Sequence, residues 1–167
     1  MLYGMTETDL TYNIVEHLLE GIVDGQSIHA QAVSGGRAGT KTAGVENVML
    51  ANNPYLTRVK KQGANPGGPT VMGKYRLVAH ESKPNWIRLV PFTENTMFGR
   101  DGFAIHGRGP RGSDGCIVPT DFAVVQLLCK LLKTRQESKK PAPTLAVVAI
   151  GDLDSVDKRL NELRQTA

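Results

Sequence analysis

The sequence predicts a mainly β domain, a curved sandwich with one or two helices. Short apolar or alternating segments recur along the chain, and Gly, Asn, Asp and Pro separate them. Two longer segments near the C-terminus have helical spacing. With 167 residues, of which 40% are hydrophobic, the chain is long enough to form one domain with a substantial core.

The N-terminal part predicts an antiparallel meander followed by irregular loops. Alternating segments predict strands at 10–15, 21–23 and 27–33, with Asp24-Gly25 in a turn. Residues 34–70 are rich in Gly, Asn and Pro, which predicts loops that border a groove.

Strands are expected to resume in the middle of the chain, at 75–79, 86–90 and 103–106. The loop between the last two contains Met97, Phe98 and Arg100, which we interpret as lid residues.

The C-terminal part predicts two helices around one buried strand. Pro119-Thr120-Asp121 begins the first helix, whose apolar positions extend to Leu132, and 144–150 forms the strand. From Asp152 onward, one stripe of a second helix carries Leu153, Val156, Leu160 and Leu163. This helix either packs on the domain or presents a docking face.

The segment with the most chemical information contains a histidine and a cysteine ten positions apart. His106 ends a short apolar run, and a glycine-rich loop leads from it to Cys116. A free thiol ionises near pH ~8.5, so an imidazole must take its proton before it can attack a carbonyl at neutral pH. The pattern predicts Cys116 as a nucleophile and His106 as its general base.

The glycines of this loop allow sharp turns and positive φ angles. Such turns can direct the backbone N–H groups of Asp114, Gly115 and Cys116 at one point. An acyl transfer needs donors of this kind, because they stabilise the oxyanion of the transition state. The loop therefore predicts an oxyanion hole at these three residues.

Two runs in this segment, Ile105-His106-Gly107 and Ser113-Asp114-Gly115-Cys116-Ile117, resemble the signature of L,D-transpeptidase catalytic domains. Asp114 stands where housekeeping members carry a second histidine, Val118 stands at a later polar position, and the loop is short. In these departures the chain is similar to the compact L,D-transpeptidase toxins of type VI secretion systems. Upstream, Asn52-Asn53-Pro54, Gly67-Gly68-Pro69 and Met72–Leu77 also resemble this subgroup, so the resemblance covers about residues 10–120.

The resemblance implies an L,D-transpeptidase-like curved sandwich over residues 1–150, with 151–167 as the amphipathic C-terminal helix. It implies that Cys116 attacks the L-centre carbonyl of a diamino acid in a peptidoglycan stem tetrapeptide and expels D-alanine. Water then releases a tripeptide, or a D-amino acid captures the acyl group. The carbonyl of Gly107 would orient the imidazole of His106, and no cofactor is expected.

Three further residues of the loop are candidates for substrate binding. Arg108 and Arg111 can grip the carboxylates of stem peptides by paired hydrogen bonds, although exposed loop arginines are often only solvated. Ser113 is assigned to the same role. Asp114 would disfavour an ionised sulfur, so we expect it to face a backbone or arginine partner.

These residues have other interpretations. His106, Asp114 and Cys116 lack the paired short spacings of zinc sites, and the loop lacks the Gly-Lys-Ser/Thr ending of a phosphate loop, so no metal is expected. A cell-wall or partner-binding module with an incidental cysteine stays open, as does a peptidase or amidase of different bond specificity. We interpret Cys129 as a core residue. His17, His29 and His80 are interpreted as surface or structural residues.

Charge and cysteine usage limit the class of partner. A net charge of +4 favours contact with an anionic polymer, while 5% aromatic residues argue against single-stranded nucleic acid as the ligand. Two cysteines suggest no disulfide framework. The N-terminus shows neither a signal peptide nor a membrane span, so we expect synthesis in the cytoplasm and type VI delivery to a target periplasm. Secretion components and an immunity protein would then be partners.

Overall fold

The computed structural model describes residues 7–58 and 67–166. Its strands are β1 (Leu10–Asn13), β2 (Leu18–Val23), β3 (Gln26–Ser34), β4 (Gly73–Ala79), β5 (Trp86–Pro91), β6 (Ala104–His106), β7 (Ile117–Pro119) and β8 (Thr144–Val148). Its helices are α1 (Phe122–Glu137), α2 (Leu153–Thr166) and a 3-10 helix at Pro54–Leu56. The predicted mainly β class and the C-terminal helix are confirmed.

The strands form one closed barrel in the order β1-β2-β3-β7-β6-β5-β4-β8. Neighbours are antiparallel except for β1 with β8 and β6 with β7, which are parallel. The predicted sandwich is thus a single barrel. The reason is β8, which pairs with β1 on one side and with β4 on the other and so closes the sheet.

The barrel interior is filled by the inward-facing residues that the alternation predicts. Along β3, Ile28, Ala30 and Ala32 are buried, whereas the residues between them are exposed. Tyr12 and Tyr75 are the largest fully buried side chains. Burial on this scale stabilises each large apolar side chain by about 1.5–3 kcal/mol.

Helix α1 begins where the sequence predicts and covers one side of the barrel. The Asp121 carboxylate accepts a hydrogen bond from the N–H of Ala123 at 2.9 Å, which satisfies a donor of the first turn. Val125, Leu128 and Leu132 are buried against the strands. Cys129 is partly buried and packs against the same core, as predicted.

Helix α2 packs on the rest of the chain through its apolar stripe. Val156 and Leu160 are buried, and the hydroxyl of Tyr55 donates to Asp157 at 2.6 Å. The Arg159 guanidinium donates to the carbonyl of Asn52 at 3.3 Å. Within residues 7–58 and 67–166, no helix is long and apolar enough to cross a membrane.

The three histidines outside the site lie in a turn, on the surface and in a loop. His17 lies in a turn with φ of 57°, and burial lowers its pKa. His29 is exposed beside Glu20, at 3.3 Å. His80 accepts hydrogen bonds at Nδ1 from the N–H groups of Ser82 and Lys83. His80 thereby orders the loop between β4 and β5.

Candidate active site

The parallel pair β6 and β7 brings the two predicted catalytic residues to one face of the barrel. Ile105 lies opposite Ile117, so Cys116 lies beside Ala104, and His106 points to the same face two residues further along. A strand spacing of about 4.8 Å and a rise of about 3.3 Å per residue put the two Cα atoms about 8 Å apart. No hydrogen bond joins these two described side chains; the Cys116 sulfur instead lies 3.8 Å from the Gly102 carbonyl.

The imidazole of His106 is buried and fixed in one orientation. Its Nδ1 lies 2.7 Å from the carbonyl oxygen of Gly107, as predicted. Because a carbonyl only accepts, Nδ1 must carry the proton, and Nε2 is the basic nitrogen. Burial lowers the pKa of His106, and the charge of Lys83 lowers it further. The ring is therefore neutral and able to accept a proton at neutral pH.

Trp86 holds the other side of this imidazole and is a residue that the sequence analysis misses. It lies directly opposite His106 in the β5–β6 pair. The two rings stack with centroids 4.0 Å apart and planes 7° from parallel. The Lys83 ammonium lies 4.4 Å from the indole centroid. Trp86 is the single tryptophan of the sequence, which could have drawn attention to it. That it lies opposite His106 depends on how β5 and β6 pair, which the sequence does not show.

The environment of Cys116 favours a neutral thiol. Burial raises its pKa, and the charge of Asp114 raises it too, whereas the Ser113 hydroxyl, the Ala104 N–H and Lys83 lower it. The carboxylate of Asp114 lies 3.7 Å from Arg37 Nε, so of the two predicted kinds of partner, backbone or arginine, an arginine is present. With the pKa of Cys116 raised and that of His106 lowered, the resting pair is thiol and imidazole, not thiolate and imidazolium.

This pairing predicts the pH dependence of Cys116 alkylation. We expect the rate of reaction with iodoacetamide to rise from pH 6 to beyond about pH 9, because burial raises the pKa of Cys116 above that of an ordinary thiol. A thiolate and imidazolium pair would instead give a rate that is flat over pH 5–8. The measurement is pseudo-first-order alkylation followed by intact mass, in a Cys129→Ala background so that only Cys116 reacts.

The predicted oxyanion hole is occupied by a side chain. The N–H groups of Cys116 and Gly115 converge as expected, but they donate to Ser113 Oγ, at 2.6 Å and 3.2 Å. Ser113 is only 6% exposed, and its hydroxyl oxygen is engaged by the backbone; its role in substrate binding stays a prediction. Because the Ser113 oxygen accepts two hydrogen bonds, its proton is left to donate. A hydrogen bond from this hydroxyl to the Cys116 sulfur lowers the pKa of the thiol.

A buried polar network fixes the other side of the same peptide. The Gly115 carbonyl accepts hydrogen bonds from Ser34 Oγ, at 3.0 Å, and from Thr70 Oγ1. Ser34 N–H in turn donates to Asn52 Oδ1 at 2.9 Å, and Asn52 Nδ2 donates to the Tyr12 hydroxyl at 2.8 Å. The peptide that precedes Cys116 is thus held at its carbonyl by this network and at its N–H by Ser113.

Arg100, which we interpreted as a lid residue, has a different role. It is 7% exposed, and its guanidinium donates to the carbonyls of Pro69 and Gly68, each at 2.8 Å. It therefore ties the 67–70 segment to the site. Met97 and Phe98 are also partly buried against the core. The prediction of a lid at these residues is wrong, because their side chains are engaged by the body of the protein.

A cavity of about 290 Å³ opens at Cys116. Its wall also includes Arg100, Asp101, Phe103 and Asp114. Neither of the loop arginines lines this cavity. Arg108 donates to the Thr40 carbonyl at 3.1 Å and borders a separate hollow, and Arg111 is exposed. The structure therefore does not bring these two arginines to the nucleophile.

Among the residues that the structure describes, no three His, Cys, Asp or Glu side chains are placed to hold a metal ion. The sequence matches no family model, and comparison with curated proteins and with solved structures finds no similar protein.

Proposed function

We propose that this protein is a cysteine acyl-transfer enzyme that acts on peptidoglycan stem peptides, as an L,D-carboxypeptidase, an L,D-transpeptidase or both. One observation carries the chemistry: His106, with Nδ1 bound to the Gly107 carbonyl and Nε2 left basic, shares a strand face with Cys116. Cys116 in turn lines a cavity. The choice of substrate rests on the resemblance of the loop that joins these residues.

The first half of the proposed reaction forms a thioester. Rotation about χ1 of Cys116 brings its sulfur toward Nε2 of His106, which takes the thiol proton. The sulfur attacks the L-centre carbonyl carbon, and the resulting imidazolium gives its proton to the amide nitrogen as the C–N bond breaks. D-alanine leaves. Contacts of this kind are often long in the free enzyme and shorten when substrate binds.

The second half regenerates the thiol. Nε2 of His106 takes a proton from water, or from the amine of a D-amino acid, as that nucleophile attacks the thioester carbonyl. The C–S bond breaks, and the proton returns to the sulfur. Water yields the tripeptide, and the amine yields an exchanged or crosslinked stem.

In this proposal Ser113 acts on the attacking sulfur and not on the oxyanion of the intermediate. The N–H groups of Gly115 and Cys116 polarise its hydroxyl, whose proton faces the charge that develops at the sulfur. A hydrogen bond to an ionised group contributes about 1.5–3 kcal/mol. Ser113 is thus a positioning residue for the nucleophile.

We further propose that the enzyme is an antibacterial effector that a type VI system delivers into the periplasm of a target cell. Support for this part comes from the short loop and from Asp114 and Val118, the features in which the chain is similar to the toxin subgroup. The proposal includes an immunity protein as a partner.

The test of the proposed activity uses purified tetrapeptide and pentapeptide muropeptides. We expect the wild-type chain to release D-alanine from the tetrapeptide, with the tripeptide or an exchanged stem as the other product in mass spectrometry. Cys116→Ala should abolish this release. Cys129→Ala, a change of the same type on α1, should leave it intact. Equal release by the wild type and Cys116→Ala would reject the proposal.

A non-catalytic cell-wall or partner-binding module is the second candidate. The observation that favours it is the occupied state of the Gly115 and Cys116 N–H groups, which Ser113 already binds. This candidate predicts saturable binding to sacculi that survives replacement of both His106 and Cys116, and no covalent adduct with a carbapenem.

A further inference from the structure

The loop between β4 and β5 places a cation over the ring of Trp86, which in turn stacks on the imidazole of His106. The Lys83 ammonium lies 4.4 Å from the Trp86 ring centroid, and the Trp86 and His106 rings are 4.0 Å apart. Together these contacts place the ammonium at most 8.4 Å from the centre of the imidazole ring. Its charge acts on both His106 and Cys116.

Hydrogen bonds hold the backbone of this loop in place and so fix where the Lys83 side chain begins. His80 donates its N–H to the Trp86 carbonyl at 2.9 Å, which closes the base of the loop. His80 Nδ1 accepts the N–H of Lys83, also at 2.9 Å. The remaining charged residue of the loop, Glu81, is bound by Arg88, with Nε to Oε2 at 2.8 Å.

Lys83 has no carboxylate partner within the described ranges 7–58 and 67–166. Its side chain is exposed. The cavity at Cys116, by contrast, carries Asp101 and Asp114, and the guanidinium of Arg100 directs its donors at backbone carbonyls. Lys83 does not itself line the cavity; it lies over Trp86, on the side of the site where His106 lies, and no described carboxylate engages its charge.

The proposed reaction places an anion near this position. In a stem tetrapeptide, the carboxylate of the terminal D-amino acid is three bonds from the attacked carbonyl carbon. We propose that Lys83 recognises this carboxylate and so selects peptides with a free C-terminus. Trp86 and the 80–85 loop hold the Lys83 ammonium on the His106 side of the site. This inference rests on the proposed function.

The test compares two probes that differ in one charge, iodoacetate and iodoacetamide, in a Cys129→Ala background. In both reactions the Cys116 thiolate displaces iodide from the CH₂ group, a C–S bond forms, and iodide leaves with the electron pair. The ratio of the two rates cancels the thiolate fraction, so a change in the pKa of Cys116 does not affect it.

We expect Lys83→Ala to lower the iodoacetate to iodoacetamide ratio about fivefold at low salt, the effect of one nearby charge in a wet site. Lys83→Arg should keep the ratio, and so should Lys133→Ala, an exposed lysine of α1. The difference should shrink in 1 M salt, where charges are screened. An unchanged ratio in Lys83→Ala would overturn the proposal.

A second arm separates this proposal from the proposed function. If D-alanine is released, Lys83→Ala should raise KM for the free-acid tetrapeptide and leave KM for its C-terminal amide unchanged. A KM that rises equally for both peptides would also contradict carboxylate recognition. If no muropeptide is cleaved while the probe ratio still depends on Lys83, the proposed function fails and the anion site stands.

Discussion

Replacement of Gly115 by alanine should lower the free energy of unfolding by about 2–5 kcal/mol and remove the proposed release of D-alanine. Gly115 has φ of 157°, a conformation that residues with a Cβ rarely adopt. An added Cβ would lie 2.5 Å from Phe103 Cε1 and 2.9 Å from the Arg100 guanidinium. Phe103 and Arg100 are both buried, so the loop must move, and Cys116 moves with it.

The control lies in the same loop. Gly109→Ala places its Cβ in open space, with no atom within 4 Å, and should change the unfolding free energy by less than about 0.5 kcal/mol. Chemical denaturation measures both variants, and D-alanine release measures their activity. Equal stability of the two variants would show that the close approach at Gly115 is not a feature of the native loop.

The second large effect is expected from His106→Gln. Loss of the proposed general base should reduce the rate of D-alanine release by about 10²–10⁴-fold, the usual contribution of general-base catalysis. Glutamine retains a polar side chain of similar length, and the circular dichroism spectrum should be unchanged.

Trp86→Phe is the matched control for this change. It keeps an aromatic ring against His106 and should reduce the rate far less than the loss of the imidazole does. Kinetics with the tetrapeptide muropeptide decide the matter. A His106→Gln enzyme that retains wild-type rate would remove His106 from the mechanism.

The strands were predictable because each depends on a local pattern. Most of them begin and end within a few residues of the predicted limits. β7 was missed because it has three residues and ends in Pro119. Barrel closure was not predictable, since it depends on pairing of β8 with β1, which lies more than a hundred residues away and leaves no local signal.

The candidate site also contains some residues that a local pattern predicts and others that only the fold brings together. His106, Gly107 and Cys116 could be identified because one short run contains the residue types that thiol chemistry needs. Ser34 and Thr70 could not, because they reach the Gly115 carbonyl from distant segments.

The contacts of Ser113 were not predictable for a related reason. Its hydroxyl can serve either a substrate or the backbone, and only the path of the loop decides between them. Asn52 is an intermediate case. The run Asn52-Asn53-Pro54 was noted, but its contact with Ser34 becomes visible only in the fold.

The proposed reaction requires that the Cys116 sulfur becomes covalently attached to substrate. Intact-mass analysis after an acid quench, with tetrapeptide muropeptide, tests it most directly. We expect the wild type and Cys129→Ala to gain the mass of the acyl fragment that remains after loss of D-alanine, with the fragment mapped to Cys116, and Cys116→Ala to gain nothing. D-alanine release without any adduct on Cys116, or an adduct at another residue, would contradict the account.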